Sequence, residues 1–307
     1  MDTTGSFLKT VIARARGYVD AVSIDAKYTD DFLVRHIIQP ATVDVLSRIN
    51  TNQDNPIVNR FTISLAAGTS VYQMPPCVQE VWRIVRLDSN LNILGDYIPR
   101  NHFHRMGPNW SLEGNTLRWW PKNDETFDVT IFYISNGDVA LHYASTGATY
   151  PTSTTMVLPS SPTLGEVDRR PNAYVGSVVR TLPSSGIRQE RIITAYDAST
   201  RTVTVNLPWD STPSANTPYE IAPYASQPLY EAVSVACAMK LGAYTNISDS
   251  HQQKIANEYR TALKTVRDNF SNLNIRLPKG FEKNTVDNPN LLLVPYRYGF
   301  WNTYTNP

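Results

Sequence analysis

His102 and His104 stand two positions apart in Asn101-His102-Phe103-His104-Arg105. On a strand both would point to one face, as a pair of metal ligands does. A zinc centre needs further ligands, and no third His or Cys lies close in sequence. The flanking Arg100 and Arg105 also repel a cation. The pair therefore reads as loop histidines, and no metal or other cofactor is expected. His36 sits beside apolar residues and reads as a packing residue, while His142 and His251 are isolated. Cys77 and Cys237 lie 160 positions apart, which is neither a disulfide framework nor a zinc pattern. Both read as small buried residues; whether they pair is left open.

Nucleophilic and acid–base chemistry lack a frame. There is no Gly-x-Ser-x-Gly, no phosphate-binding glycine loop and no dinucleotide fingerprint. The Asp124-Glu125 pair lies in a polar turn, where solvation is its expected role. The chain is not expected to be an enzyme. Arg14, Arg16, Arg169, Arg170, Arg180, Arg188 and Arg191 could form local basic patches, and Trp119-Trp120 could stack bases. Acids such as Asp25, Asp30, Asp31 and Asp168 intersperse, and paired Trp on strands usually pack, so sequence-specific DNA binding is not expected.

Composition narrows the classes further. In 307 residues Lys+Arg is 28 and Asp+Glu is 27, a net charge of +1 that draws neither nucleic acid nor an anionic membrane. Charged residues are 18%, below the ~25% of a usual domain, and 21 Pro help fill the gap. The longest apolar runs, such as 232–239 and 291–294, fall short of the ~20 residues of a membrane span. Met1-Asp2-Thr3-Thr4 lacks the basic and apolar regions of a signal peptide, so none is expected.

The elements that must position these residues follow from periodicity. Phe7, Leu8, Val11, Ile12 and Ala15 make a helical stripe, with Gly17 placed as a C′ residue. Thr29 caps a second helix whose stripe includes Phe32, Leu33, Ile37, Val43, Leu46 and Ile49; Pro40 should kink it or start a new segment. Strands are expected over 58–65, 71–76, 81–87, 110–112, 116–120 and 127–134. Residues 144–159 are Ser/Thr/Pro-rich and read as a boundary. A second β unit follows, with strands over 174–182, 190–196, 202–206 and 219–221. Helices return at Ser226, with Leu229, Val233, Ala236, Cys237, Leu241 and Tyr244 as one stripe. Ser248 caps another, with Ile255, Tyr259, Leu263, Val266, Phe270 and Leu273 on one face.

The order is helices, β, β, helices. The expected fold class is α+β: a helical bundle built from the N- and C-terminal helices, with inserted antiparallel β domains and an extended C-terminal tail. The alternative packs each helix set on its own neighbouring sheet. The expected divisions are 1–52, N-terminal helices; 53–143, first β domain; 144–224, second small β module; 225–274, helices completing the bundle; and 275–307, a docking tail. Bundle packing falls to Phe32, Ile37, Leu46, Leu229, Val233, Leu241, Tyr259, Leu263 and Phe270. The tail holds Leu291, Leu292, Leu293, Val294, Tyr296, Tyr298, Phe300 and Trp301 among several prolines, a composition unlike disordered segments. Such residues are anchors at protein interfaces. Wrapping on its own domain is the alternative.

Three stretches carry a resemblance. One is Tyr28-Thr29-Asp30-Asp31 leading to Ile37 and Leu46-Ser47-Arg48-Ile49. The second is Gly68-Thr69-Ser70-Val71-Tyr72-Gln73-Met74-Pro75 before a Val-rich strand. The third is Glu231-Ala232-Val233 through Lys240-Leu241, followed by Tyr259-Arg260 and Leu263. Together they resemble the head-to-tail connector (adaptor) proteins of tailed bacteriophages. The run from Asp168 through Tyr174-Val175-Gly176, Gln189-Glu190-Arg191 and Trp209 to Tyr219-Glu220-Ile221 looks like a small β module of phage structural proteins.

The resemblance implies a homo-oligomeric ring of twelve copies in the virion, assembled in the bacterial host cytoplasm. Its partners would be the portal protein, a tail nozzle or tube protein and a tail fibre, with DNA passing unread through the bore. The tail residues from Leu291 to Trp301 would anchor on the portal. The family's simple members are smaller and mostly helical, so two β units are a departure. The alternative is a tail-associated module whose β domains recognise a receptor glycan. A cell-wall hydrolase would need an acid–base pair that no motif supplies.

Overall fold

The computed structural model describes residues 6–19, 28–51, 58–87, 93–99, 109–120, 122–138, 140–182, 188–223, 227–245 and 247–275. Helix α1 (Phe7–Tyr18) starts at Ser6, whose hydroxyl accepts from the Lys9 amide at 3.2 Å. It buries Phe7, Leu8, Val11, Ile12 and Ala15 and runs past Gly17 to a cap at Val19. Helix α2 (Asp30–Leu33), a π turn (Val34–Ile38) and α3 (Gln39–Thr51) form one continuous rod. Thr29 caps it through the Phe32 amide at 3.2 Å. Helical backbone runs on through Pro40, the second residue after the π turn. Its missing donor would have bonded the carbonyl of His36, which lies inside the wider π turn, so the ladder loosens there and continues.

The first sheet contains β1 (Val58–Leu65), β2 (Val71–Gln73), β3 (Val78–Leu87), β4 (Ile93–Pro99), β5 (Asn109–Glu113), β6 (Thr116–Trp120) and β7 (Phe127–Ser135). Their order is β1-β7-β3-β4-β5-β6-β2. Pairing is antiparallel except between β4 and β5. β1 and β2 lie at opposite edges, yet only residues 66–70 join them, so the sheet rolls until its edges approach. Register shifts in β3 supply curvature. Phe61, Leu65, Ile84, Leu117, Trp119, Val129, Ile131 and Tyr133 fill the inside of the roll.

The second sheet contains β8 (His142–Ala144), β9 (Thr149–Thr152), β10 (Thr155–Val157), β11 (Leu164–Gly165), β12 (Val178–Thr181), β13 (Glu190–Asp197), β14 (Thr202–Val205) and β15 (Tyr219–Ala222). Their order is β11-β8-β15-β12-β13-β14-β10-β9, with every pair antiparallel. Every residue of β8, β12 and β15 is buried, because both faces of these strands are covered. On one face Tyr143 and Ala222 join the helical core; on the other Ala144, Val179, Tyr219 and Ile221 join the core of the β unit.

Helices α4 (Gln227–Gly242) and α5 (Asp249–Ile275) complete the described chain. From Ala232 to Ala238 every residue of α4 is buried, as suits a helix surrounded by others. One cluster unites α1, the α2–α3 rod, α4 and α5 with Leu141, Tyr143 and Ala222 of the second sheet.

This overturns the expected α+β helical bundle with inserted β domains. Among the described residues fifteen strands stand against four helical rods, so the described architecture is mostly β. The physical reason lies in what the amphipathic stripes bury. They were expected to bury one another, whereas here they also cover a sheet, forming a layer on β8 and β15. The expected strand over 174–182 shortens to β12, because residues 171–176 are turns that end with Gly176 at φ +83°. Residues 144–159, read as a boundary, carry the end of β8 and all of β9 and β10.

The two β units meet at the end of β7. Val175 of the second packs in the core of the first, and Tyr133 reaches over Gly176. The Arg170 guanidinium bonds Asp138 at 2.6 and 3.1 Å and Asp168 at 2.7 Å.

Candidate functional site

The residue types with chemical potential are dispersed. His102 and His104 lie outside the described residues. Asp124 and Glu125 are exposed, with Glu125 paired to Arg86 at 3.1 Å. His36 is exposed on the π turn and its ring lies tilted against Phe32, 4.8 Å between ring centroids. Nε2 of His251 meets the Tyr18 carbonyl oxygen at 2.6 Å, at the C-terminal end of α1. Cys77 and Cys237 are free and buried. Burial pushes the Cys77 thiol up to about 11, and it pushes Cys237 up as well. Neither is a thiolate at neutral pH, so neither is a ready nucleophile. Among the described residues no three His, Cys, Asp or Glu gather in a group that could hold a metal ion. No helix among them is long and apolar enough to cross a membrane.

Two polar centres stand out, and both are enclosed. In the first, Glu220 on β15 points into the helical layer with no exposed surface. Alternation along the strand puts Tyr219 and Ile221 in the β core, so Glu220 faces α1. Its Oε1 accepts from the Phe7 amide at 2.7 Å; its Oε2 accepts from Ser6 Oγ at 2.7 Å and the Leu8 amide at 3.2 Å. A carboxylate thus occupies the helix N-terminus, where free donors and the dipole favour an anion. Arg180 on β12 is also buried; its Nη1 lies 3.6 Å from Glu220 and its Nε donates to Glu190 at 2.9 Å. This arrangement holds a helix to a sheet.

In the second, His142 on β8 lies between Tyr174 and Tyr219. Its Nδ1 is 3.2 Å from the Tyr174 hydroxyl and its Nε2 3.1 Å from the Tyr219 hydroxyl. Burial lowers the imidazole to about 3, so it is neutral, with one ring nitrogen donating and the other accepting. The Asp168 amide donates to the Tyr174 hydroxyl at 2.8 Å. Burial raises both tyrosines. None of these groups reaches solvent, so the cluster orders the core. Sequence reading left His142 isolated because its partners are 32 and 77 positions away. A histidine between Leu141 and Tyr143 in an apolar run was the available signal.

The residues expected to pack helices lie as follows. Ile37, Leu46, Leu229, Val233, Leu241, Tyr259 and Leu263 are buried in one cluster, and Phe32 packs against it half-buried. Tyr259 also donates to Asp44 on α3 at 3.0 Å. Phe270 lies on α5, but its side chain is outside the described residues. So are all the tail residues Leu291, Leu292, Leu293, Val294, Tyr296, Tyr298, Phe300 and Trp301.

The outer surface shows a few large apolar side chains. Trp119 is buried, whereas Trp120 is 57% exposed, since neighbours on a strand face opposite ways. Trp82 on β3 and Met239 on α4 are 37% and 40% exposed. Compared with known proteins, the chain matches no family model and no curated protein.

Proposed function

We propose that the chain is a structural head-to-tail adaptor of a tailed bacteriophage, a ring component between portal and tail nozzle or tube, with no catalytic step. DNA passes through the bore without being read. The observation that supports this best is a contrast. In the described body the reactive groups Cys77, Cys237, His142 and Glu220 are buried inside the fold. Beyond α5, residues 291–304 concentrate nine large apolar or aromatic side chains. Residues of that kind supply the anchors of protein interfaces. Repetition around a ring multiplies each interface. The resemblance in the stretches at 28–49, 68–75 and 231–263 points the same way.

Mixing the full chain with the cognate portal tests the reading. A ring-shaped complex by electron microscopy, weakened when residues 276–307 are deleted, is the expected result. Equal binding by the truncated chain removes the anchor role, and absence of any ring complex removes the adaptor reading.

A second reading, glycan recognition, draws on exposed Trp82 and Trp120, since aromatic faces stack on sugars. They lie on β3 and β6, with β4 and β5 between them. A glycan array probed with the full chain separates the readings: a specific signal lost in Trp120→Ala favours glycan binding.

A further inference from the structure

Where α4 turns into α5, a half-open cavity of about 350 Å³ lies at the surface. Met239, Ala243, Ile247 and Ile255 give it apolar walls, while Asp249 and Gln252 bring polar groups. Gly242 makes the corner tight: a Cβ there would stand 2.7 Å from Ile247 Cδ1, so a side chain at 242 would push the tip of Ile247 aside. The volume is at the small end of the ~300–1,000 Å³ of ligand pockets. That suits one or two large side chains better than a cofactor. Exposed Met239 adapts to irregular apolar partners.

We propose that, before assembly, this corner holds the chain's own C-terminal segment, residues 291–301. Three observations select that occupant. The segment concentrates aliphatic and aromatic side chains of the size the cavity takes. Its charge is complementary: Arg297 is the single charged side chain in residues 288–307, and Asp249 the single one lining the cavity. Reach is also sufficient. Ile255 and Ile275 are 20 residues apart on α5, about 30 Å along the axis. The intervening residues 276–290 span up to roughly 50 Å when extended. Tethering gives the segment a local concentration on the order of millimolar, which favours its own corner over another copy's. The corner would then keep the apolar segment from aggregating until a partner competes for it. The proposal does not depend on the adaptor reading, since any partner could compete.

The test uses the full-length chain with a photoreactive phenylalanine analogue in place of Met239, in an equal mixture of isotopically light and heavy protein. Cross-links from position 239 to residues 291–301 within one label are the expected result. Asp249→Lys and Arg297→Glu should each lower their yield about fivefold, the size of a well-formed exposed ion pair. The double reversal should restore it, which a merely unfolded corner would not do. Cross-links joining light to heavy copies, cross-links only to other residues, or none to residues 276–307 would overturn the proposal. Ring formation with portal is measured separately, so either idea can fail alone.

Discussion

Tyr133 of the first β unit ends directly above Gly176 of the second: a Cβ added to Gly176 would stand 2.5 Å from the Tyr133 hydroxyl oxygen. Gly176 also holds φ at +83°, a conformation that side chains rarely adopt. The same hydroxyl lies 3.7 Å from Cys77 Sγ. The close approach of the two units thus depends on a missing side chain.

Gly176→Ala should therefore destabilise the protein by roughly 2–4 kcal/mol, from left-handed backbone strain plus overpacking. Tyr133→Phe removes the clashing oxygen, so the pair should lose less than the sum of the single changes. A double-mutant cycle by urea unfolding measures this. Strict additivity would show that Tyr133 is not what Gly176 accommodates.

Removing the Glu220 carboxylate acts on two sets of groups. Glu220→Ala should cost about 2–4 kcal/mol, because the first amides of α1 lose their buried acceptor, while Arg180 loses the charge of Glu220 at 3.6 Å but keeps Glu190 at 2.9 Å. Glu220→Gln keeps one oxygen acceptor and should cost less. Amide hydrogen exchange at Phe7 and Leu8 should accelerate in both variants, and unchanged protection there would contradict the role assigned to Glu220.

His142 makes stability depend on pH in one direction. The folded imidazole stays neutral down to about 3, while the unfolded one takes up a proton near 6.5. As pH falls through that window the unfolded state binds the proton and the folded state does not. Stability is full above about 6.5 and declines towards 3, by about 2 kcal/mol between pH 7 and 5 from this group alone. His142→Gln should flatten that decline, and an identical pH slope in the variant would exclude His142 as its source.

The two thiols should resist modification. Both are buried and protonated at neutral pH, so a disulfide-forming reagent should label neither in the native protein and two per chain in urea. Rapid native labelling of one would place it at the surface.

Local elements were the most legible. The Phe7, Leu8, Val11, Ile12 and Ala15 stripe is the buried face of α1, and the alternation over 58–65 is β1. Less legible were segments whose partners are distant. β4 contains Gly95 and ends at Pro99, which hides its strand character. β9 and β10 are only four and three residues long, Thr-Tyr-Pro-Thr and Thr-Met-Val, too short for a period. The run Tyr174–Leu182 is rich in Val and reads as one strand, but its first half is a turn, because Gly176 and Asn172 take positive φ. The enclosed polar centres escaped for the same reason. Glu220 looks like an ordinary strand acid until Ser6 is brought to it, and nothing near His142 in sequence reveals Tyr219.

The contact between Ser6 and Glu220 spans 214 residues. On a ribosome adding ~5–20 residues per second, the first turn of α1 waits on the order of ten seconds or more for its acceptor. Throughout that interval Phe7, Leu8, Val11 and Ile12 have no sheet to cover. The N-terminal helix is therefore among the last elements to settle although it is the first to be synthesised. Nascent chains stalled before residue 220 should be the form of this protein most in need of a chaperone.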